Sequence, residues 1–214
     1  MSFDRGGFAD DEQRQVLVLG SSSRYRATLL ARLGIPFVQE SPDIDERAHD
    51  EQLDELGPEG LALALAHAKA RALMRPDRAR WLLCADQVGV LDVDDEKSML
   101  LSKPGDAARN VDQLMALAGR THRLVNGIVL VNEASGVAHE VVDSAELSMR
   151  PFTRQEAEAY VAECAPIDCA GGYRIEDRGI LLFDRIESSD HTGIIGLPLI
   201  ATAQLLRSAG LIPG

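Results

Sequence analysis

Apolar residues along this chain occur in two patterns, continuous runs and helical spacings. The runs at residues 16–20 and 81–85 are typical of strands that are buried on both faces of a sheet. Leucines at helical spacing occupy residues 29–33, and a longer helical pattern covers residues 58–74. Strands that alternate with helices in this way predict a single α/β unit.

The second half of the chain predicts a pair of long antiparallel strands. Residues 122–132 and 138–149 both fit an extended pattern, and a turn at 134–136 joins them. Thr153 and Glu156 form the capping box of a helix that runs to about residue 164. The other predicted elements are short strands at 36–38 and 88–91, a helix at 107–117, a strand at 180–186 and a final helix from 198 to about 210.

Composition and charge narrow the class of protein. A chain of 214 residues with 45% hydrophobic content can bury one sizeable core, and its polar residues 1–14 predict a flexible tail ahead of one domain at 15–214. The formal net charge of −12 argues against general binding to nucleic acid or to an anionic membrane, because both need a basic face. Three cysteines without zinc-ligand spacing, no signal peptide and no long apolar run predict a reduced, cytoplasmic protein.

The turn after the first strand is a candidate anion site. A strand that runs into Gly20-Ser21-Ser22-Ser23 and then into a helix points backbone N–H groups and hydroxyls at one place. An ordinary loop in which Ser23 caps the helix explains the same residues. Arg26, one turn into the helix, favours the anion site, because a guanidinium can bind two phosphate oxygens at once. The turn matches neither the Rossmann nor the P-loop pattern.

Three groups of charged residues are further candidates for ligand or metal binding, and each also has a purely structural explanation. Asp86 follows the run 81–85, at the strand end where ligands of α/β sheets bind, although a capping Asp fits the same position. The acidic residues 43–46 form either a solvated loop, which their spacing favours, or part of a divalent-metal site. Lys69 shares a helix face with leucines, so its amine either reaches water or contacts a ligand beside the anion site.

Taken in order, the motifs resemble those of the Maf family of nucleoside triphosphate pyrophosphatases over about residues 15 to 210. Each motif is short, but their common order makes the resemblance specific. It implies a Maf-like or ITPase-like α/β unit, with a mixed twisted sheet flanked by helices and a central cleft. The motifs are GSSS-x-x-R at 20–26, Asp45-Glu46, LA-x-x-KA at 65–70, ADQV at 85–88, Lys103-Pro104, AG-x-x-H at 118–122, AGGY-x-I-E at 170–176 and Gly196-Leu197-Pro198.

The resemblance implies hydrolysis of a nucleoside triphosphate between the α- and β-phosphates. It also implies a divalent metal cofactor (Mg²⁺, Mn²⁺ or Co²⁺) and a homodimer. Such chemistry needs neutralised phosphate charge and an activated water. His122 falls on a family motif, but its place ahead of a strand favours a structural role. The implied roles are metal binding by Glu46 and Asp86, proton acceptance by Asp86, and phosphate binding by Ser21, Ser23, Arg26, Lys69 and Lys103.

Within the family, the residues at three further positions differ with the base of the substrate. In this chain they are Tyr25, Gln87 and Glu176. The 7-methyl-GTP branch carries an aromatic residue, Gln and Glu at these positions, whereas the thymidine/uridine branch carries Arg, Thr and Gln. An aromatic ring attracts the cationic 7-methylguanine, and a carboxylate accepts hydrogen bonds from its N1–H and amine. The resemblance therefore implies 7-methyl-GTP as the substrate.

Three positions depart from the family's pattern, the first being Tyr25, where a related sequence would carry Trp. Arg24 stands where Pro often follows the third Ser, and Ser102 stands where Gly often precedes Lys103. Two other functions stay open, namely a pyrophosphatase for another modified or pyrimidine nucleotide such as dTTP or UTP, and a nucleotide-binding regulator of cell division. A mere binder has no need of Asp86 and Glu46 beside lysines, so turnover by purified protein with metal separates enzyme from regulator.

Overall fold

The computed structural model describes residues 16–75, 77–93 and 98–213. Its framework is a seven-stranded mixed sheet. The predicted tail at 1–14 lies outside the described residues, as do residues 94–96 of the acidic stretch after the third strand. The strands are β1 (Val16–Gly20), β2 (Val38–Glu40), β3 (Arg80–Asp92), β4 (Ser98–Leu100), β5 (Thr121–Asn132), β6 (Ala138–Met149) and β7 (Phe183–Ser188).

The sheet changes from parallel to antiparallel pairing at β3. Its order is β2-β1-β3-β5-β6-β7, and β4 pairs with the end of β3. One edge of β3 pairs with antiparallel β5 along almost its whole length. On the other edge, parallel β1 stops at Gly20 opposite Cys84, and antiparallel β4 pairs only with Val90 to Asp92. Among the described strands, this edge of β3 therefore has a gap between β1 and β4.

Helices cover both faces of the sheet. α2 packs on one face against β1, β3 and β5, whereas α1 and α6 pack on the other. α3 and α4 cover the ends of β5 and β6. The helices are α1 (Arg24–Ala31), α2 (Leu53–Leu73), α3 (Ala107–Leu117), α4 (Arg154–Cys164), α5 (His191–Ile195) and α6 (Leu199–Ser208), with 3₁₀ helices at Glu46–Gln52, Ala170–Gly172 and Arg178–Leu182.

α2 approaches β5 closely at Gly127. A Cβ at this position would lie 2.4 Å from the carbonyl carbon of Ala62, so any other residue would push the helix away. Ala62 is fully buried at this contact. Lys69 lies two helical turns further along α2. The close approach at Gly127 therefore sets how deeply α2, and Lys69 with it, sits on the sheet.

Asp86 does not end its strand as predicted. The predicted strands at 81–85 and 88–91 are one continuous strand, β3, and Asp86 lies in its middle. The strand continues because β5 pairs with it past this point, with Asp86 opposite Gly127. The sequence prediction placed the end of the strand at Asp86 because this residue is polar. The strand that ends near this point is instead β1, the neighbour of β3 in the sheet.

Other boundaries also differ from the sequence prediction. The predicted helix start at Pro58 is confirmed for the long part of α2, because Gly57 has a non-helical φ of +66° that separates it from an additional short turn beginning at Leu53. The predicted strand at 180–186 begins only at Phe183, since Asp177 caps a 3₁₀ helix ahead of it. β2 is shifted to 38–40, and α5 was not predicted. The capping box at Thr153 and Glu156 is confirmed.

His122 is a buried structural residue at the start of β5. Its Nε2 lies 2.6 Å from the hydroxyl of Tyr173, and within the described residues its Nδ1 has no hydrogen-bond partner. Burial lowers the pKa of His122 to about 4. A neutral imidazole in a fully enclosed position agrees with a role in packing rather than in chemistry.

The free energy of unfolding is expected to fall as the pH is lowered through the range set by His122. In the unfolded chain a His titrates near ~6.5, so between this value and 4 the unfolded state binds a proton that the folded state does not. His122 should contribute about 2 to 3 kcal/mol to the loss of stability between roughly pH 7 and 4.5. Urea unfolding at both pH values checks this, with His122→Gln as reference because Gln keeps a partner for Tyr173. If the free energies of unfolding of wild type and His122→Gln differed by the same amount at both pH values, His122 would not be the group responsible.

Candidate active site

A cleft of about 520 Å³ opens at the gap in the edge of β3. The turn after β1, the start of α1 and the Gly-rich segment at 168–176 form its walls. Residues from both ends of the chain thus meet over the middle of β3. All the residues that the sequence predicted for the site line this cleft, namely Ser21, Ser23, Tyr25, Arg26, Glu46, Lys69, Asp86, Gln87, Lys103 and Glu176.

The serines of the turn point hydroxyl groups toward the cleft. Ser21 Oγ accepts a hydrogen bond from the backbone N–H of Ser23 at 3.1 Å. Ser23 is the N-cap of α1, and its Oγ accepts from the backbone N–H of Arg26 at 3.3 Å. Because each oxygen already accepts a hydrogen bond, its own O–H is suited to donate to an anion. The structure confirms Ser23 as the helix cap, and its hydrogen bonds are compatible with anion binding by the same turn, which stays a prediction.

Arg26 is held at one end of this turn. Its Nε donates to the backbone oxygen of Gly196 at 2.8 Å, and its Nη1 lies 3.4 Å from Ser21 Oγ. Gly196 belongs to the turn between α5 and α6. A guanidinium fixed along one side keeps further N–H donors that can bind phosphate oxygens.

Lys69 lies between the two carboxylates that were predicted to bind metal. Its Nζ forms an ion pair with Asp86 Oδ1 and a second one with Glu46 Oε1 at 2.8 Å. Lys69 is only 3% exposed, so its amine does not reach bulk water. Lys103, which is largely exposed, approaches the second oxygen of Glu46 at 3.9 Å. The acidic loop is therefore not merely solvated, because Glu46 joins it to two lysines.

The charged groups around Glu46 shift one another's pKa values in both directions. Burial alone would raise the pKa of Glu46, but the Lys69 ammonium outweighs it and holds this pKa below its usual value. The pKa of Asp50 is raised, first by burial and then by the carboxylates of Asp45, Glu46 and Asp86, against the opposing effect of Arg47. A cation bound near Glu46 and Asp86 would relieve this repulsion.

Glu46 and Asp86 fit a divalent cation that is shared with a phosphate ligand. Both carboxylates already contact one cationic group, the Lys69 ammonium, so they lie within reach of a common positive charge. Among the described residues no group of three or more His, Cys, Asp and Glu side chains is arranged to hold a metal. A Mg²⁺-like ion often takes one or two carboxylates and completes its shell with phosphate oxygens and water.

Asp86 and Gln87 serve opposite sides of the cleft. Successive side chains of a strand point to opposite faces of the sheet. Asp86 faces α2, where it meets Lys69, whereas Gln87 faces α5, where its Nε2 donates to the backbone oxygen of Gly193 at 2.7 Å. Two adjacent residues can therefore act on different parts of one ligand.

Asn126 on β5 supports Gln87, and the sequence reasoning missed it. Its Oδ1 lies 3.3 Å from Gln87 Nε2, and its Nδ2 donates to the backbone oxygen of Gly193 at 3.0 Å. The signal was an amide inside an otherwise apolar strand, since Asn126 is fully buried between Val125 and Ile128. Gly193 was missed because α5 has only five residues, too few for a periodic pattern.

The Gly-rich segment that ends in Glu176 is anchored at two points. Asn110 on α3 donates from Nδ2 to the backbone oxygen of Gly172 at 2.8 Å, and Tyr173 bonds to His122. Gly172 has a φ of +72°, and a Cβ there would lie 2.2 Å from Asn110 Nδ2. Beyond these anchors, Glu176 is exposed at the rim of the cleft, where its carboxylate can meet a ligand.

Tyr25 lies at the same rim, against Arg24. The Cζ atom of Arg24 lies 5.0 Å from the centre of the Tyr25 ring, and its Nη2 donates to the Tyr25 hydroxyl at 3.1 Å. Both side chains line the cleft. Tyr25 thus already holds a cation against one face of its ring.

Comparison with known proteins gives a consistent set of relatives. The sequence profile of the family described as Maf-like protein matches residues 16–209. The chain is 40% identical to the 7-methyl-GTP pyrophosphatase of Nitrosococcus oceani over 91% of its own length and 93% of the relative's. It is 39% identical to the protein of that name from Xanthomonas campestris pv. campestris (91% and 96% covered) and 38% identical to that from Cupriavidus metallidurans (93% and 96% covered).

One solved structure also resembles this chain, with much lower sequence identity than the relatives above. It is the nucleoside-triphosphatase / dITP/XTP pyrophosphatase from Mycobacterium abscessus, with 14% identity, a TM-score of 0.42 and coverage of 94% of this chain and 100% of that chain. None of the helices in the described residues is both long and apolar enough to cross a membrane.

The mixed sheet with its cleft, and the relatives together, define a hydrolase of the nucleotide pyrophosphatase class. More particularly, the chain belongs to the Maf family, whose profile spans nearly all of the described residues.

Proposed function

We propose that this protein hydrolyses 7-methyl-GTP between the α- and β-phosphates, giving 7-methyl-GMP and pyrophosphate. One observation carries the proposal: a buried Lys69 joins Asp86 to Glu46 in the same cleft as the anion-binding turn at Ser21–Arg26. A protein that only binds nucleotides has no need of two carboxylates beside phosphate-binding cations. The names of the relatives support the choice of substrate.

In this proposal, the turn after β1 and two lysines bind the phosphates. The Ser21 and Ser23 hydroxyls and the Arg26 guanidinium would donate to phosphate oxygens, while Lys69 and Lys103 would offset their charge from the opposite side. Donors that are already fixed by the protein need little rearrangement when charge develops on the leaving pyrophosphate.

Asp86 would act as the proton acceptor for the attacking water. Water oxygen adds to the α-phosphorus, the bond from this phosphorus to the α,β-bridging oxygen breaks, and the water proton moves to an Asp86 carboxylate oxygen. Asp86 is 7% exposed and is oriented by Lys69, so the acceptor is held in place in the cleft. Glu46 and Asp86 would hold a divalent cation (Mg²⁺, Mn²⁺ or Co²⁺), which when bound neutralises phosphate charge and acidifies water.

The base would lie at the rim between Tyr25 and Glu176. The Tyr25 ring attracts the positively charged 7-methylguanine, and the Glu176 carboxylate accepts from the N1–H and the amine of guanine. Gln87, fixed by Gly193 and Asn126, borders the same space. Uracil and thymine do not offer two donors in this arrangement, and leaving the carboxylate unpaired disfavours them.

The cellular setting belongs to the same proposal. The three cysteines, Cys84, Cys164 and Cys169, are all free thiols, which supports a reduced compartment such as the cytoplasm. The homodimer implied by the family resemblance is proposed in the same sense, and sedimentation of the purified protein tests it.

A panel of nucleoside triphosphates tests the function directly. Purified protein with Mg²⁺, Mn²⁺ or Co²⁺ is assayed for pyrophosphate release from 7-methyl-GTP, GTP, dTTP, UTP and dITP. The expected result is the highest kcat/KM for 7-methyl-GTP, with release of pyrophosphate rather than phosphate. A preference for dTTP or UTP would favour the pyrimidine alternative, and binding without turnover would favour the regulator.

A further inference from the structure

We propose that Arg24 is a specificity-determining residue that weakens the preference for a cationic base by occupying the ring of Tyr25. This inference rests on the proposed function, since it concerns the same end of the cleft. It assigns a role to Arg24, which stands at a variable position inside the motif at 20–26 and departs from the Pro that the family often has there.

The contact between Arg24 and Tyr25 is a stacked and hydrogen-bonded pair. The guanidinium carbon lies 5.0 Å from the ring centre, within the range of a cation–π contact. Nη2 also donates to the Tyr25 hydroxyl at 3.1 Å, so two interactions hold the guanidinium on the ring. Both residues line the cleft, which places this cation where the base is proposed to bind.

The charge of Arg24 is compensated less than that of its neighbour Arg174. The Arg174 guanidinium pairs with Asp177 Oδ2 at 2.8 Å and donates to the backbone oxygen of Cys164. Among the described residues, the hydrogen-bond and ring contacts of the Arg24 side chain are those with Tyr25. The nearby Asp168 carboxylate, which also lies 3.9 Å from Arg174, attracts the charge of Arg24 more weakly. The Arg24 charge therefore acts on any ligand beside Tyr25.

The positive charge of Arg24 disfavours binding of a cationic base on either face of the Tyr25 ring. If the base takes the face held by Arg24, the guanidinium must leave and its own cation–π contact is lost. If the base takes the other face, two positive charges flank one ring and repel each other. Binding of a neutral guanine is disfavoured less, because the base carries no charge and can itself stack on a guanidinium plane. Arg24 should thus lower the ratio of 7-methyl-GTP to GTP affinity.

Position 24 tolerates replacement by the residue that the family often has. Arg24 is the first residue of α1 and directly follows the N-cap Ser23. Pro is favoured at this first helical position because its fixed φ suits the helix and its missing N–H is not needed there. Arg24→Pro is therefore a second variant that removes the cation without disturbing the cap.

The test compares Arg24→Gln and Arg24→Pro with wild type and with Arg32→Gln. Arg32 lies at the other end of α1, is exposed and does not line the cleft, so it controls for the change in net charge. The measurements are kcat and KM for 7-methyl-GTP and GTP, and calorimetric Kd for 7-methyl-GMP and GMP. Both Arg24 variants should raise the 7-methyl-GTP to GTP ratio of kcat/KM about two- to five-fold, through KM and Kd rather than kcat. Arg24→Lys, which keeps the charge, should stay near wild type.

The outcomes separate this inference from the proposed function. Wild-type turnover of 7-methyl-GTP with the same ratio in the Arg24 and Arg32 variants overturns the role of Arg24 alone. A ratio that falls in both Arg24 variants overturns it as well. A wild type that neither binds nor cleaves the methylated nucleotide overturns both. Loss of the Arg24 effect in a Tyr25→Leu background supports the role, because the charge then has no ring to occupy.

Discussion

The Asp86→Asn variant is expected to lower kcat for 7-methyl-GTP at least about 100-fold while it keeps its fold and most of its nucleotide affinity. Asn has the shape of Asp but no basic oxygen to accept the proton of the attacking water. Asp86 is nearly buried and paired with Lys69, and the ion pair of Lys69 with Glu46 stays intact in the variant. Steady-state pyrophosphate release, thermal unfolding and calorimetric binding of 7-methyl-GMP measure the three parts of this expectation.

The same substitution at Asp92 is a matched control. Asp92 ends the same strand, is exposed, and pairs with Ser98 and Arg123 away from the cleft. Asp92→Asn should leave kcat unchanged. If Asp86→Asn kept more than about a tenth of wild-type kcat, Asp86 would not be the proton acceptor, because loss of a general base costs more than this.

The structure of the turn that we propose to bind phosphate could be predicted from sequence because it is local. A strand, three serines and a helix start lie within seven residues of Gly20, and the N-cap at Ser23 needs no distant partner. The capping box at Thr153 was predictable for the same reason. The sequence left open whether this turn is only a helix cap or also binds an anion, and the structure confirms the cap while anion binding stays a prediction.

The environment of Asp86 could not be predicted because it depends on tertiary pairing. The gap in the edge of β3 exists because β1 ends opposite Cys84 and the last residue of antiparallel β4, Leu100, lies opposite Val90. Neither register is encoded near Asp86 itself. The ion pair with Lys69 depends likewise on the depth of α2, which the contact at Gly127 sets from another strand. Sequence patterns found the charged residues but not which of them neutralise one another.

The residues that we propose to bind the base could be singled out only through the family resemblance. Tyr25, Gln87 and Glu176 come from a helix start, a strand and the end of a Gly-rich segment, and no spacing relates them. Their supports, Asn126 beneath Gln87 and the pair of Asn110 and His122 beneath the Gly-rich segment, are long-range contacts. The fold thus carries the residues that we propose to read the base on separate anchors, so that substitutions at the rim should change the choice of base and leave the phosphate end intact.

The double variant Tyr25→Arg, Glu176→Gln is expected to move preference from 7-methyl-GTP toward UTP or dTTP. The first change removes the ring that attracts a cationic base, and the second replaces an acceptor of two guanine donors by an amide that can also donate to a pyrimidine carbonyl. The ratio of kcat/KM should shift about 10- to 100-fold, which corresponds to about 1 to 3 kcal/mol of lost discrimination. Glu158→Gln on the exposed face of α4 is the control, since it makes the same chemical change outside the cleft. An equal fall in kcat/KM for all nucleotides would show that the two residues support phosphate binding or the fold, not the reading of the base.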